Sequence, residues 1–187
     1  EITDFLPTFE ILSRASAFNT YALAPERKAI PLVNSNMKPT SLDFVPHYSF
    51  AEYDQIIGRT PDLIAVPWFP SYTPERDAAV LEWIRQHAGP NTTLLTICAG
   101  TEIMADTGLL EGHTVTTNTG WLDKLQARFP TVTWVRNMRY VDDGAVVTSS
   151  NLAAGIDATL HVVDRVAGRA TALNVAGGTV TLTGANP

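Results

Sequence analysis

A chain of 187 residues is long enough to bury the core of one domain, and its composition gives no sign of a second. Its 13 Lys and Arg against 19 Asp and Glu give a formal net charge of -6, and no basic run interleaves with aromatics, which argues against direct nucleic-acid binding. No apolar run approaches the roughly 18 residues that a bilayer-spanning helix needs, so no membrane is expected as a partner.

The first half of the chain predicts one helix and a few short strands. Apolar side chains at helical spacing predict a helix over residues 8–17, with Pro7 at its first position and Asp4 in the loop that enters it. Residues 21–24 and 42–48 predict short strands, separated by a Pro- and Asn-rich loop that reaches Pro39.

The middle of the chain has the pattern of buried parallel strands joined by helices. Apolar runs at 63–66 and 94–97 predict two such strands, and the helix between them is expected to begin at Thr73-Pro74. A helix over 99–107 follows, with Gly108 as its left-handed C-terminal residue.

The second half continues the alternation. A strand at Val115, a helix over about 121–129 and a strand at 132–135 precede a hairpin that turns at Asp143-Gly144. Asn151 is expected to cap a long amphipathic helix. Beyond Arg169 the pattern fades, so that 170–187 reads as a tail in which residues 179–183 form either a final strand or a loosely held segment.

Together these elements predict an α/β domain with a mostly parallel sheet, whose ligands bind beyond the carboxyl ends of the strands. Cys98, the only cysteine, directly follows one of those strands and precedes a helix. Such a turn exposes the side chain to the helix N-terminus and favours a thiolate. The alternative is an inert, buried thiol.

The lone cysteine cannot form an internal disulfide, and no Cys/His cluster offers a metal site. The compartment is therefore not fixed by the sequence, although a reducing, cytoplasmic one is favoured, and no metal or other cofactor is expected.

Four segments resemble the ThiJ/PfpI superfamily, a branch of the class I glutamine amidotransferase-like fold. They are Asp4-Phe5-Leu6-Pro7-Thr8-Phe9-Glu10, Ile97-Cys98-Ala99-Gly100, Gly108-Leu109-Leu110-Glu111-Gly112 with Thr116-Thr117-Asn118, and Tyr140-Val141-Asp142-Asp143-Gly144 with Ala154-Gly155-Ile156-Asp157. The resemblance reaches about Arg169 and implies one flavodoxin-like, three-layer domain over 1–187, a nucleophile-elbow cysteine and a homodimer. Isonitrile hydratases and the sensor domains of AraC-type regulators are the most similar members.

The chain departs from the family pattern at several points. The family's first strand is missing ahead of Asp4, so a trimmed chain is expected and the sheet order beside Cys98 is open. Pro67-Trp68-Phe69-Pro70 replaces the usual Pro-Gly-Gly loop, so the amide that binds a developing anion is expected to be altered or filled. Ala99 and Asn118 stand where relatives place histidine, which disfavours peptidase and amidase chemistry.

The resemblance implies that Cys98 is a nucleophile, that Asp4 is its acid and base, and that Glu10 lies near the sulfur. The amides of Ala99 and Gly100 are expected to lend partial charge to a bound substrate, with Asn118 and Trp68 as further substrate contacts. Each has a plainer interpretation: Asp4 as a helix-entry residue, Glu10 as a solvent-facing side chain, Asn118 as a turn former, and Trp68 as a dimer contact.

Three functions follow from these residues. The first is a cysteine-dependent hydratase or lyase that resembles isonitrile hydratase and acts on a small molecule. The second is a ligand-sensing domain that binds without turnover, related to AraC-type sensors. The third is a glyoxalase or repair activity that uses Glu10 and Cys98. The four histidines, His47, His87, His113 and His161, have no spacing that suggests a dyad or ligation, and we expect them on the surface or in packing.

Overall fold

The computed structural model describes residues 1–179, in which seven helices and ten strands alternate. The helices are α1 Ile2–Arg14, α2 Phe50–Ile56, α3 Ala78–His87, α4 Gly100–Asp106, α5 Thr119–Arg128, α6 Leu152–Ala167 and α7 Arg169–Thr179. The strands are β1 Leu23–Ala24, β2 Ile30–Val33, β3 Pro39–Phe44, β4 Tyr48–Ser49, β5 Leu63–Val66, β6 Thr93–Thr96, β7 Thr114–Val115, β8 Thr133–Trp134, β9 Tyr140–Asp143 and β10 Val146–Ser149. No helix of this described part is long and apolar enough to cross a membrane.

The central sheet has four strands in the order β5-β6-β10-β9. The first three run parallel, and β9 joins antiparallel through the hairpin that turns at Gly144, whose φ is 75°. Three two-stranded sheets lie outside it: β1 with β4 and β7 with β8 are parallel, and β2 with β3 is antiparallel. The predicted α/β class with a mostly parallel sheet is therefore confirmed.

Alternate residues of the central strands pack into cores on opposite faces of the sheet. Leu94 and Val146 join the larger core, which the helices α3, α4 and α5 cover. Their chain neighbours Leu95 and Val147 point the other way and pack with Val162 of α6. Because both faces are covered, the open approach to the sheet is at the carboxyl ends of its strands.

Helix α1 differs from the sequence prediction. It begins at Ile2 instead of residue 8, so Asp4 lies in its first turn and Pro7 lies inside the helix. The carboxylate of Glu1 accepts the Asp4 N–H at 3.1 Å, which caps the early start. Pro7 lies past the first turn and has no N–H to donate to the Thr3 carbonyl, so α1 lacks one intrahelical hydrogen bond there.

Two further helix starts also differ. The Thr73 hydroxyl accepts the Arg76 N–H, but it caps only a turn, and α3 begins five residues later at Ala78. Helix α2 was not predicted, although Ser49 and Glu52 form a reciprocal capping box at its start.

The segment after Arg169, where the apolar pattern fades, forms helix α7 instead of a tail. Its Ala172 and Val175 are buried against Ile11 and Leu12 of α1 and Val163 of α6. Because only two of its side chains enter the core, the helical periodicity is weak. Thr179 ends this helix, and the rest of the strand considered at 179–183 lies outside the described residues.

Ion pairs join α4 to α5 away from the sheet. The buried carboxylate of Glu102 accepts hydrogen bonds from Lys124 at 3.1 Å and Arg128 at 3.0 Å, and Arg128 also pairs with Asp106. Since α4 follows Cys98 and α5 follows Asn118, these pairs hold together the helices that begin beside both residues.

Helix α4 begins directly against the end of β5. A Cβ atom on Gly100 would lie 2.3 Å from the backbone oxygen of Val66, which cannot rotate away as a side chain can. Only glycine therefore permits this approach, which places the start of α4 over the neighbouring strand.

We expect Gly100→Ala to destabilise the protein by about 2–3 kcal/mol, because the added methyl must displace backbone. Gly177→Ala is a matched control: this helical position is exposed and its Cβ meets no atom within 4 Å. It should be neutral or up to about 1 kcal/mol stabilising, through helix propensity. Urea unfolding of both variants measures the difference, and equal midpoints would show that the β5–α4 approach is not constrained.

Candidate active site

Cys98 lies in a sharp turn between β6 and α4, with a φ of 57°. Non-glycine residues adopt this left-handed conformation at a cost of about 1–2 kcal/mol. Two bonds fix the turn from before and after: the Ile97 N–H donates to the Val66 carbonyl at 3.1 Å, and the Gly100 N–H donates to the Ile97 carbonyl at 2.9 Å.

Threonine side chains hold the carbonyl oxygen of Cys98. The Thr117 hydroxyl donates to it at 3.1 Å, and the Thr101 hydroxyl lies 3.3 Å from it. Thr101 also lies 2.7 Å from the hydroxyl of Thr96, and all three threonines are buried. Because the carbonyl is held, the peptide cannot turn over and the side chain of Cys98 keeps its direction.

The sulfur receives two hydrogen-bond donors. The Ala99 N–H donates to Sγ, and the side-chain amide of Asn118 donates to it from 3.5 Å. Asn118 also caps α5, since its Oδ1 accepts the Gly120 N–H at 3.0 Å. Donors of this kind favour the ionised sulfur over the neutral thiol.

Asp4 is the carboxylate whose charge acts most strongly on this sulfur. It is 3% exposed, and the Trp68 N–H donates a hydrogen bond to its carboxylate. Burial, reinforced by the neighbouring Glu1 carboxylate, raises the pKa of Asp4 to about 7 in spite of that hydrogen bond. Asp4 therefore exchanges its proton near neutral pH, as a group that acts both as acid and as base must do.

The thiol itself is not the poised thiolate that the sequence predicted. Burial, together with the negative charge of Asp4, raises the pKa of Cys98 to about 11, although Asn118 and the Ala99 N–H favour the ionised form. The desolvation cost of a thiolate exceeds what two donors return. At neutral pH the sulfur keeps its proton, and Asp4 is the group that titrates.

A family model for DJ-1/PfpI matches residues 51–165. The chain belongs to the DJ-1/PfpI family. Among proteins of known function, it is 27% identical over 172 residues to isonitrile hydratase from Pseudomonas putida, an alignment that covers 89% of this chain and 71% of that protein.

Solved structures show the same fold at low identity. Drosophila melanogaster DJ-1beta has a TM-score of 0.78 and 19% identity, with 95% of this chain and 90% of that one covered. An AraC family transcriptional regulator from Pseudomonas putida has a TM-score of 0.73 and 17% identity, with 96% and 94% covered. The family match confirms the resemblance that the four segments carry, and these structures show its fold.

The structure of this DJ-1/PfpI domain corrects two of the expected site residues. Glu10 is on the outside of α1, where its half-exposed carboxylate pairs with Arg14, so the expectation that it lies near the sulfur is wrong. Six residues at about 100° each place it roughly 120° around the helix from Asp4. The Gly100 N–H is engaged by the Ile97 carbonyl and does not face a substrate.

Ala99 and Trp68, two of the expected substrate contacts, contribute backbone N–H groups to the site. Ala99 is buried and contributes its N–H to the sulfur. Trp68 contributes its N–H to Asp4, so the amide expected to be altered or filled in this loop is occupied by the carboxylate. Phe69 stacks edge-on with Tyr72 and packs against the larger core.

Each histidine of this domain has partners away from Cys98. His47 accepts the Ala22 N–H and stacks on Phe9, and His87 pairs with Asp54. His113 and His161 pair with Asp143 and Asp142. These contacts agree with the predicted surface and packing roles.

Sequence reasoning missed Glu1, whose carboxylate raises the pKa of both Asp4 and Cys98. A signal was available, because an acidic side chain three residues before Asp4 is well placed to accept its N–H. The predicted helix over residues 8–17 leaves Glu1 well outside the helix, so its capping role was not predicted.

A polar cleft adjoins the far side of the Thr117 segment. Its lining residues come from the segments that follow β7, β8 and β10, and they are Thr116, Thr117, Thr119, Leu122, Asn137, Met138, Arg139, Ser150 and Asn151. The cleft and the site both contain Thr117, whose hydroxyl donates to the Cys98 carbonyl.

We expect Asp4→Asn to gain stability relative to the unchanged protein as pH rises. The pKa of Asp4 is about 7 when folded and near 3.8 ordinarily, so its favourable contribution is complete below about pH 4 and is lost as pH rises through 7. The relative gain between pH 4 and pH 8 is at most about 4 kcal/mol.

Chemical unfolding at both pH values measures this gain, with Glu10→Gln on the same helix as a control that should show no such trend. A stability difference for Asp4→Asn that is the same at pH 4 and pH 8 would contradict the raised pKa.

Proposed function

We propose that this protein hydrates the carbon–nitrogen triple bond of a small isonitrile, with Cys98 as nucleophile and Asp4 as proton carrier. The carrying observation is a partly buried thiol under the charge of a carboxyl group whose pKa is about 7, in a turn whose backbone is held by hydrogen bonds on both sides. The similarity to an isonitrile hydratase supports the same reaction. In this proposal the Cys98 turn is the nucleophile elbow expected from the sequence.

In the first step, the ionised carboxylate of Asp4 accepts the proton of the Cys98 thiol as the sulfur attacks the isonitrile carbon. A carbon–sulfur bond forms and one π bond of the triple bond breaks. Protonated Asp4 then delivers the proton to the same carbon, which gives an enzyme-bound thioimidate. Asp4 is suited to both transfers because its pKa lies near the working pH.

In the second step, water adds to the thioimidate carbon and a proton reaches the nitrogen. The carbon–sulfur bond then breaks as the hydroxyl group becomes a carbonyl, and Asp4 accepts the hydroxyl proton and passes it to the sulfur. The product is an N-substituted formamide, whose atoms are those of the isonitrile and one water, and the thiol is regenerated. No amine leaves, so the reaction does not need the histidine that an amidase uses to protonate one.

We expect Cys98→Ala to abolish formamide production, because the attacking atom is gone. Asp4→Asn should lower kcat by at least about 100-fold, the usual range for loss of a general acid and base. Glu10→Gln is the matched control, another acidic residue of α1, and it should stay within about twofold.

The assay follows formamide release from a panel of small alkyl and aryl isonitriles by chromatography, with folding checked by circular dichroism. Turnover that survives unchanged in Cys98→Ala would overturn this mechanism.

The pH dependence supplies a separate prediction. Asp4 must be ionised to accept the thiol proton, so kcat/KM should rise about tenfold per pH unit below pH 7 and level off above it. In Asp4→Asn the residual rate should instead keep rising through pH 9, because burial still holds the pKa of the Cys98 thiol above its ordinary value after the Asp4 charge is removed. Initial rates between pH 5 and pH 9 measure both profiles, and identical profiles for the two proteins would rule out Asp4 as the base.

A ligand-sensing domain is the second candidate. Two observations favour it: burial raises the pKa of Cys98, and the Trp68 N–H is taken by Asp4 instead of being free for a developing anion. A sensor would bind isonitriles or related small molecules in calorimetry without releasing product, and Cys98→Ala would retain that binding. The glyoxalase or repair activity has lost its basis, since Glu10 does not face the sulfur.

The small-molecule partner and the homodimer stay predictions of the same proposal. Sedimentation of the purified chain tests the second of them.

A further inference from the structure

Asn118 connects the sulfur of Cys98 to the start of helix α5. Its Nδ2 lies 3.5 Å from Sγ, and its Oδ1 accepts the Gly120 N–H at 3.0 Å. The two ends of one side-chain amide therefore face two different partners.

The second contact determines the orientation of the first. A backbone N–H can only donate, so the atom of the Asn118 amide that faces Gly120 must be the oxygen. The NH₂ group is then left facing the sulfur, and a rotation that reversed the amide would set two donors against each other at Gly120. The position thus presents a donor of fixed polarity to Cys98.

The backbone on which Asn118 is carried is also held. The preceding Thr117 donates its hydroxyl to the Cys98 carbonyl, and the Thr116 N–H donates to the hydroxyl oxygen of Thr148 at 2.8 Å. The Thr116 hydroxyl donates to the Val135 carbonyl at 3.0 Å. These bonds fix the distance between the Asn118 segment and the Cys98 turn independently of the sulfur contact.

We propose that Asn118 is a catalytic residue that stabilises the developing thiolate of Cys98, a role distinct from the substrate contact that the sequence suggested. The inference rests on the proposed function. A primary amide neither takes up nor delivers a proton near neutral pH, so Asn118 lends its donor to the sulfur while the proton passes to Asp4. The N-terminal end of the ten-residue helix α5 adds partial positive charge on the same side.

The decisive variant is Asn118→Asp. Aspartate is as good an N-cap as asparagine, so one oxygen still accepts the Gly120 N–H and α5 keeps its start. The other oxygen now presents negative charge to the sulfur in place of a donor. We expect alkylation of Cys98 by iodoacetamide at pH 8 to slow by at least about tenfold, because a smaller fraction of the sulfur is ionised.

Two further variants separate this role from simple capping. Asn118→Ser keeps an acceptor for the cap but loses the donor to sulfur, so its alkylation should slow less than in Asn118→Asp. Asn151→Asp makes the same change at the N-cap of α6, where Oδ1 accepts the Ala154 N–H at 3.0 Å, and should leave alkylation within about twofold. Urea-unfolding midpoints of the Asn118 variants close to that of the protein without substitutions establish that each variant is folded.

Alkylation reports on the sulfur whether or not the protein turns anything over, because Cys98 is the only thiol. Slower alkylation in Asn118→Asp, with no isonitrile hydrated by the unchanged protein, would support the thiolate contact and refute the hydratase. If the protein without substitutions hydrates isonitriles, and Asn118→Asp shows the same alkylation rate and the same pH dependence of kcat/KM, the proposed role of Asn118 is refuted. Asn118 is then a helix cap, and the proposed hydratase function is unaffected.

Discussion

The left-handed turn at Cys98 is the constraint on which the rest of the site depends. It is unfavourable by itself, and it persists because the carbonyl of Cys98 is held by threonine hydroxyls and because Gly100 lets α4 begin against β5. If this peptide rotated, the sulfur would move away from both Asp4 and Asn118. The arrangement of helices on both faces of the sheet thus leads to one fixed direction for one side chain.

Burial raises the pKa of the Cys98 thiol and hydrogen bonding lowers it, and the effect of burial is the larger. Two donors reach the sulfur, yet desolvation and the carboxylate of Asp4 keep it protonated at neutral pH. The same desolvation raises the pKa of Asp4 into the neutral range. The two groups are best treated as one titrating pair that loses its first proton near neutrality and its second only far above it.

Much of the fold can be predicted from the sequence because β5 is a continuous apolar run, β6 and β10 each contain an apolar pair, and α6 has a strong amphipathic pattern. Proline and threonine predict the starts of α1 and α3 at the wrong places, because Glu1 caps α1 ahead of Pro7 and Thr73 caps only a turn ahead of Ala78. Helix α7 buries only two of its described side chains, which leaves too weak a pattern to detect.

The sequence likewise predicts some of the site residues correctly and others wrongly. Cys98 was identified from its place after a strand, and Asp4 and Asn118 lie beside it. Glu10 was misplaced because its inward direction came from resemblance, while the rotation of α1 turns it to solvent. The raised pKa of the thiol could not be derived from the motif, since it depends on burial and on groups distant in sequence, namely Asp4 and Asn118.

Under the proposed function, the carboxylate of Glu1 beside Asp4 would influence which substrates reach the sulfur. Both acidic groups act on the sulfur with the same sign, and each raises its pKa. In the proposed reaction, an anionic electrophile that approaches Cys98 would be repelled by the same negative charges that keep the thiol protonated. An uncharged molecule with a polarised carbon meets no such barrier, so discrimination against anions begins before any contact with the sulfur is made.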